Sequence, residues 1–459
     1  MKKKIDLESL NKYLTYEYVP TPNSIFQNVY KLEPGHYLKY DGKNIKKECF
    51  WDIKFEEKSK DYNFNDIVER LDDKIDKAVK ERLMSDVPLG VFLSGGIDSS
   101  AICYYAQKNS KQKIKTFSIG FGEQSFDESK YARLVAKYLK TEHHEKILSA
   151  SDLLELIPKI ADLLDEPLAD ASIVPTYLLS QFAREHVTVS LAGDGGDELF
   201  CGYDTFRAHK FAEVYEKIPE WLRKKIIEKI VLSLPTSFKN ISFDFAAKSF
   251  VKGFYGEKKY RDQRWLGSFT SAQKKKLFLP HVLNKINAEN EFNDIDNYLK
   301  NVKGENFYNQ LIYLYLRMYL MDDILVKADR ASMYNSLEVR TPLIDYKVVD
   351  FVNNIPMDFK IKGLKTKYIF KKLMEDKLPK EIINRPKKGF GIPMAEWLTK
   401  ELKPLALKLL SREKLVKQGL FDYNYINRLL NDHFLKKKDN RKLIWTLMVF
   451  QMWWSKWLE

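Results

Sequence analysis

Twice in this chain a short apolar run ends in a cluster of glycines and opens at once into a helical pattern. The first instance is "VPLGVFLSGGIDSSAICYYAQK" and the second "HVTVSLAGDGGDELF". Few architectures accommodate a buried strand that leaves through glycines straight into a helix. Between the two instances "KTFSIGF" and "HHEKILS" read as strands, and "DESKYARLVAKYL" as a helix. Upstream, Ile67, Leu71, Ile75, Ala78, Val79 and Leu83 recur at helical spacing. Strands alternating with helices predict a doubly wound, mainly parallel α/β sheet covered on both faces. Beyond about Phe211 the strand signals fade and helical patterns dominate. Residues up to about Tyr62 differ again: "YVPTPNSIFQNVYKLEPGHYLKYDGKNI" holds three prolines, a strand and a "DG" hairpin turn. The expected organisation is an N-terminal arm over 1–62 and one functional unit over 63–459. That unit divides into an α/β lobe (63–210) and a mainly helical lobe (211–459).

Composition removes several function classes. A net charge of +14 invites a nucleic-acid reading, but the 77 basic residues are interspersed with 63 acidic ones along the whole length. No RNA-binding motif accompanies the short lysine runs, so no specific nucleic-acid partner is expected. The most apolar stretch, Leu311 to Met321, is too short to span a bilayer and carries Arg317. No membrane association is expected, and the N-terminus lacks the apolar core of a signal peptide. Cys49, Cys103 and Cys201 are widely spaced with no C-x-x-C, which argues against a disulfide framework and for the cytoplasm.

In an open parallel sheet, ligands bind beyond the carboxyl ends of the strands, where both glycine turns fall. Gly95 and Gly96 let backbone N–H groups approach phosphate oxygens, and the following helix N-terminus favours anions. Ser94, Ser99 and Ser100 add donors. Asp98 suits such a site only if a divalent cation bridges it to phosphate, as Mg²⁺ does. The lack of Gly-Lys-Ser/Thr excludes a Walker loop, and the glycine spacing is not that of a dinucleotide fold. The second turn gathers Asp194, Asp197 and Glu198, whose mutual repulsion calls for a metal or a cationic side chain nearby. The plain alternative for each turn is a helix-capping surface loop.

The run "SGGIDSS" (Ser94–Ser100) resembles the pyrophosphate loop of the N-type ATP pyrophosphatases, S-G-G-x-D-S-S. "LAGDGGDELFCGY", "DRASMYNSLEVRTPLID" and "RPKKGFGIP" are similar, in order, to the later motifs of the glutamine-dependent asparagine synthetase family. The resemblance runs from about Leu10 to the C-terminus and implies an adenine-nucleotide α-hydrolase-like fold. It further implies that ATP and a carboxylate, aspartate by default, form an acyl-adenylate with release of pyrophosphate, which ammonia converts to an amide. On that reading Ser94, Gly95, Gly96, Ile97, Asp98, Ser99 and Ser100 bind pyrophosphate. Leu93 and Ile119 lie near the adenosine, with Ala192 and Gly193 contacting the nucleotide through backbone. Asp98 and Asp197 hold Mg²⁺. Lys387 matches the R-P-K-x-G-F lysine and reaches the reacting centre from a loop expected to close over it. Asp194 stands where many members have glutamate and is the first candidate base, with Glu198 second.

Family members begin with a nucleophilic cysteine that hydrolyses glutamine, whereas this sequence begins Met-Lys-Lys-Lys. Either ammonia arrives free, or a separate glutaminase subunit supplies it, or the sequence is a truncation, and a homodimer is the assembly kept open. Other acceptors remain open too, because relatives make β-lactam rings, lasso-peptide macrocycles or sugar amides, as does a non-catalytic subunit of a split amidotransferase. Arg330 and Arg340 are either structural ion-pair partners or anchors for the acceptor. Lys388 is expected to be surface charge. His143-His144-Glu145 resembles a metal cluster, but strand neighbours point to opposite faces. Cys103 is read as core, and Trp453, Trp454 and Trp457 as helix packing.

Overall fold

The computed structural model describes residues 3–55, 63–122, 127–238, 242–287, 291–387, 389 and 391–459. The N-terminal hairpin pairs β1 (His36–Tyr40) with β2 (Ile45–Cys49) in antiparallel register. Its turn is closed by Asp41, whose side chain accepts from the N–H groups of Lys43 and Asn44 at 2.9 and 2.7 Å. The apolar runs beside the glycines become β3 (Leu89–Phe92) and β6 (Val189–Leu191), and the two intervening runs β4 (Lys115–Phe121) and β5 (Glu142–Leu148). A fifth strand, β7 (Glu338–Arg340), completes a wholly parallel sheet of order β5-β4-β3-β6-β7.

β7 lies beyond Phe211, where strand signals fade and helices dominate. Three residues carry no periodicity, and "EVR" is polar at both ends because it forms the sheet edge beside β6. Its strand character comes from the partner: Val189 to Leu191 align with Glu338 to Arg340, and Arg340 accepts the N–H of Ala192 at 2.8 Å.

The order of the strands places the binding crevice. From β3 the chain winds outward through β4 to β5, then crosses back to set β6 on the other side of β3. The winding therefore reverses between β3 and β6, where the flanking connections diverge and leave a gap at the strands' carboxyl ends. Both glycine turns open into that gap.

Alternation along the strands divides the core. Val91 and Leu93 pack with the helices Phe64–Arg82, Ile97–Lys108 and Ser129–Leu139, whereas Phe92, Phe117, Ile119 and Phe121 face the helices Ile173–Arg184 and Arg441–Trp457. The same alternation separates the paired histidines. His143 meets Thr116 and Ser118 at 3.0 and 3.2 Å, while His144 stacks on Phe117. No cluster of three metal-ligating side chains occurs among the described residues. Cys103 is fully buried. Trp453 and Trp457 donate their indole N–H groups to the carbonyls of Asp165 and Leu164, both at 3.0 Å, as packing residues do.

The start of the chain belongs to this body. Asp6 caps the helix Leu7–Tyr16, accepting the Ser9 N–H at 2.7 Å, and Leu10, Tyr13 and Leu14 of that helix are completely buried. The Tyr13 hydroxyl donates to the carbonyl of Thr446 in the C-terminal helix at 2.8 Å. Among the described residues no helix is long and apolar enough to cross a membrane.

Candidate active site

Past the carboxyl ends of β3, β4 and β6 lies a cleft of about 590 Å³. One wall is apolar, with Leu93, Ile119, Leu179 and Val339; the other carries the two turns and a group of ionised side chains.

The first turn is braced from within. Ser99 Oγ accepts the Ser94 N–H at 3.2 Å and donates to the carbonyl of Gly96 at 3.2 Å, and Ser94 Oγ accepts the Gly96 N–H at 3.2 Å. Gly96 caps the helix Ile97–Lys108, and the N–H groups of that helix's first turn have no acceptor within the helix. The second turn lies directly against the first. A Cβ on Gly193 would sit 2.7 Å from the Ser99 nitrogen and 2.9 Å from the Asp98 carbonyl carbon, so only glycine permits the approach.

Charge is concentrated where the turns meet. Lys367 Nζ donates to both oxygens of Asp98, at 2.7 and 2.5 Å, and lies 2.6 Å from Asp197 Oδ1 in an ion pair without hydrogen-bond geometry. Lys387 donates to the other oxygen of Asp197. Burial opposes ionisation of Asp197, but Lys367 and Lys387 outweigh it and hold the carboxyl well below its ordinary range. Burial likewise works against charge on Lys387, and Asp197 with Asp98 more than restores it, so the ammonium persists. On Glu198 the pull of Lys387 is too small to offset burial. Burial, reinforced by Asp197, pushes it up to about 7, although the Tyr203 hydroxyl donates to it at 2.6 Å. Burial also raises Asp194, against the pull of Lys327 and Lys387.

Of the residues singled out in the sequence, the cleft brings together Leu93, Ser94, Gly96, Ile97, Asp98, Ser99, Ile119, Ala192, Gly193, Asp194, Asp197, Glu198 and Lys387. Four stand elsewhere. Gly95 adopts φ +71° and turns its α-carbon to the next helix, where a Cβ would lie 2.5 Å from the Tyr131 carbonyl carbon. Ser100 is fully buried in the helix, its Oγ without a partner. Arg330 reaches away from the cleft to Asp165 and Asp329, at 3.1 and 2.7 Å. Arg340 holds the carbonyls of Arg82 and Met84 and the carboxylate of Glu338. Both arginines make contacts outside the cleft in this structure. Lys388 lies outside the described residues. Lys387 already pairs with Asp197 in this structure, whatever further movement its loop makes.

Sequence reasoning missed four basic residues of the cleft: Lys327, Lys367, Lys371 and Arg385. Arg385 donates to the carbonyl of Gly95 at 3.1 Å, pairs with Glu128 and lies over the Tyr131 ring, which ties its loop to the first turn. The signal for Lys367 was indirect: three carboxylates on one turn required a cation, without saying which of 77 basic residues provides it.

Comparison with known proteins is consistent with this geometry. A family model described as asparagine synthase matches residues 70–455, and one described as a glutamine amidotransferase domain matches residues 1–51. Asparagine synthetase [glutamine-hydrolyzing] 1 of Bacillus subtilis is 33% identical over 461 residues, covering 98% of this chain and 69% of the relative. Asparagine synthetase [glutamine-hydrolyzing] 3 of the same organism is 28% identical, covering 94% of this chain and 65% of the relative. Amidase chyE of Penicillium rubens is 26% identical, with 90% and 66% covered. Both glycine turns and the lysines around them fall inside the long match, and the chain belongs to the asparagine synthase family of ATP-dependent, amide-forming ligases.

Proposed function

We propose that this chain couples ammonia to the side-chain carboxylate of aspartate through an acyl-adenylate. The observation that carries the reading is the ion-paired group Asp98–Lys367–Asp197–Lys387 set beside the open N–H groups of a helix start. A carboxylate oxygen of the acceptor attacks the α-phosphorus of ATP, the bond from that phosphorus to the bridging oxygen breaks, and pyrophosphate leaves. Ammonia then attacks the acyl carbon, a proton departs and AMP is expelled with its oxygen. The N–H groups at the start of the helix Ile97–Lys108 receive the leaving pyrophosphate, and the apolar wall takes the adenine. Lys387, poised on Asp197 at the cleft rim, neutralises charge at the α-phosphate and then at the acyl oxygen. Glu198 is suited to take the proton from attacking ammonia, because a carboxyl near 7 exchanges protons readily at neutral pH. Asp194, also raised, is the alternative base.

Mg²⁺ fits the donor set. Asp98 and Asp197 offer hard carboxylate oxygens from facing turns, and Lys367 and Lys387, which pair with them in this structure, would share those oxygens with the ion. An ion held there would help neutralise the departing pyrophosphate. The nitrogen arrives as ammonia. Burial pushes the thiols of Cys103 and Cys201 up to about 12, far from a reactive thiolate, and Cys49 lies on the exposed hairpin outside the cleft. Free ammonia and ammonia released by a glutaminase site are both compatible sources.

The decisive experiment supplies ATP, Mg²⁺, ammonium and aspartate labelled with ¹⁸O in its side-chain carboxylate. The expected outcome is one labelled oxygen in AMP, together with unlabelled pyrophosphate. ADP as the main nucleotide product, or unlabelled AMP, would overturn the adenylate route.

A further inference from the structure

Lys387 reaches Asp197 from a loop, and loops are less rigid than the elements they join. Something else must place its ammonium, and the fixed point lies two residues earlier. Arg385 Nη1 donates to the carbonyl of Gly95 on the first turn at 3.1 Å, and Nη2 pairs with Glu128. The guanidinium carbon lies 4.0 Å from the centre of the Tyr131 ring. The Arg385 side chain is only 8% exposed, against 36% for Lys387. Its partners are firm. The carbonyl of Glu128 accepts the Tyr131 N–H at 2.9 Å where the helix Ser129–Leu139 begins, and Gly95 packs against the backbone of the same tyrosine. Two donors of a planar fork and one stacked face hold the guanidinium in a single orientation, which a point charge could not achieve.

Between the two cations stands Pro386. Its ring fixes its own φ and disfavours helical backbone at Arg385, so the main chain from Arg385 to Lys387 has little freedom. This short arm ties the two turns together: Arg385 is held on the first, and Lys387 meets Asp197 on the second. We infer that Arg385 is a positioning residue for Lys387, the anchor that sets where its ammonium stands relative to both turns. The inference rests on the adenylating function proposed above, and it assigns to Arg385 an effect on turnover rather than on nucleotide binding. Gly95 and Glu128 engage both terminal nitrogens of the guanidinium, which commits it to holding the arm and not to a phosphate.

Two measurements test it, and the first needs no activity. Amide hydrogen exchange, read by mass spectrometry on a peptide covering residues 380–394, compares the wild type with Arg385→Met and Lys387→Ala. Arg385→Met should speed exchange in that peptide, and Lys387→Ala should leave it near the wild-type rate. Arg385→Lys keeps a cation beside Glu128 but gives up the fork and the stacked face, so it should raise exchange by less, with the unfolding midpoint of the wild type. Unchanged exchange in both Arg385 variants, or an equal rise in Lys387→Ala, would overturn the anchor. The second measurement follows AMP formation from ATP, aspartate and ammonium. Arg385→Met should lower kcat about 10²-fold, the scale for a reacting group misplaced by about an ångström, with KM for ATP little changed. In the Lys387→Ala background the same substitution should change kcat by no more than about twofold, because no ammonium is left for the anchor to place. A loss that appears in KM for ATP, or that persists in full without Lys387, would overturn the positioning role and give Arg385 to the phosphates. A wild type that forms no AMP would refute the proposed function instead, and the exchange measurement would then decide the anchor alone.

Discussion

Lys367 and Lys387 bind the same carboxylate but differ sharply in burial. Lys367 is almost fully buried between Asp98 and Asp197, and its backbone adopts φ +54°, a left-handed conformation that costs a non-glycine residue about 1 kcal/mol. Removing it leaves two buried carboxylates without their shared cation, so Lys367→Ala should destabilise the fold by about 3–5 kcal/mol, measured by denaturant unfolding. The side chain of Lys387 keeps 36% of its surface at the cleft rim. Lys387→Ala should leave the unfolding midpoint nearly unchanged while reducing turnover about 10²-fold or more, with ATP affinity little affected. The converse pattern would reassign the two roles. Glu198 gives a pH signature. Its carboxyl is raised from 4.5 to about 7, so between those values the folded state holds a proton that the unfolded chain has released. Stability attributable to this group therefore falls as pH rises through that window, by about 3 kcal/mol in all. Glu198→Gln should flatten the slope of unfolding free energy between pH 5 and 7, and an unchanged slope would place the titration elsewhere.

The elements matter chiefly through the contact between the two turns. Each turn follows a strand and starts a helix, but neither makes a site alone, because Asp98 and Asp197 come from different turns and need one shared cation. Gly193 sets their separation. A methyl group there meets the Ser99 nitrogen and the Asp98 carbonyl carbon, neither of which can yield without shifting the helix Ile97–Lys108. Gly193→Ala should therefore weaken ATP binding at least about tenfold, the scale of the 1–3 kcal/mol cost of forcing extra volume into a packed contact. Helical content by circular dichroism should be retained, and wild-type ATP affinity would show that the turns are free to separate. The strands were readable because apolar residues bordered by glycines have few other solutions. β7 was not, since three residues become a strand only when β6 presents an open edge. The opposed orientations of His143 and His144 were readable, following from the two-residue period alone.

Across the whole molecule, the charge that first suggested nucleic acid is divided between ion pairs spread over the surface and a few lysines gathered in the cleft. Transfer RNA should therefore bind weakly, with any affinity lost steeply as salt rises; micromolar binding that survives physiological salt would reopen an RNA substrate. The sequence by itself determined the parallel α/β class, the two glycine turns at the strands' carboxyl ends, and the carboxylates Asp98, Asp194, Asp197 and Glu198 on them. All of these are local: a strand, a glycine turn and a helix N-terminus are specified by neighbours within a dozen residues. Only the tertiary structure decided which cations answer those carboxylates. Lys367 lies 269 residues from Asp98, and Lys387 190 residues from Asp197. A lysine on a helix start or a loop looks alike in sequence whether it faces water or a buried carboxylate. The same limit hid the difference between Lys327 and Arg330. They are three residues apart on one helix, and the packing of that helix against the sheet turns Lys327 into the cleft and Arg330 toward Asp165.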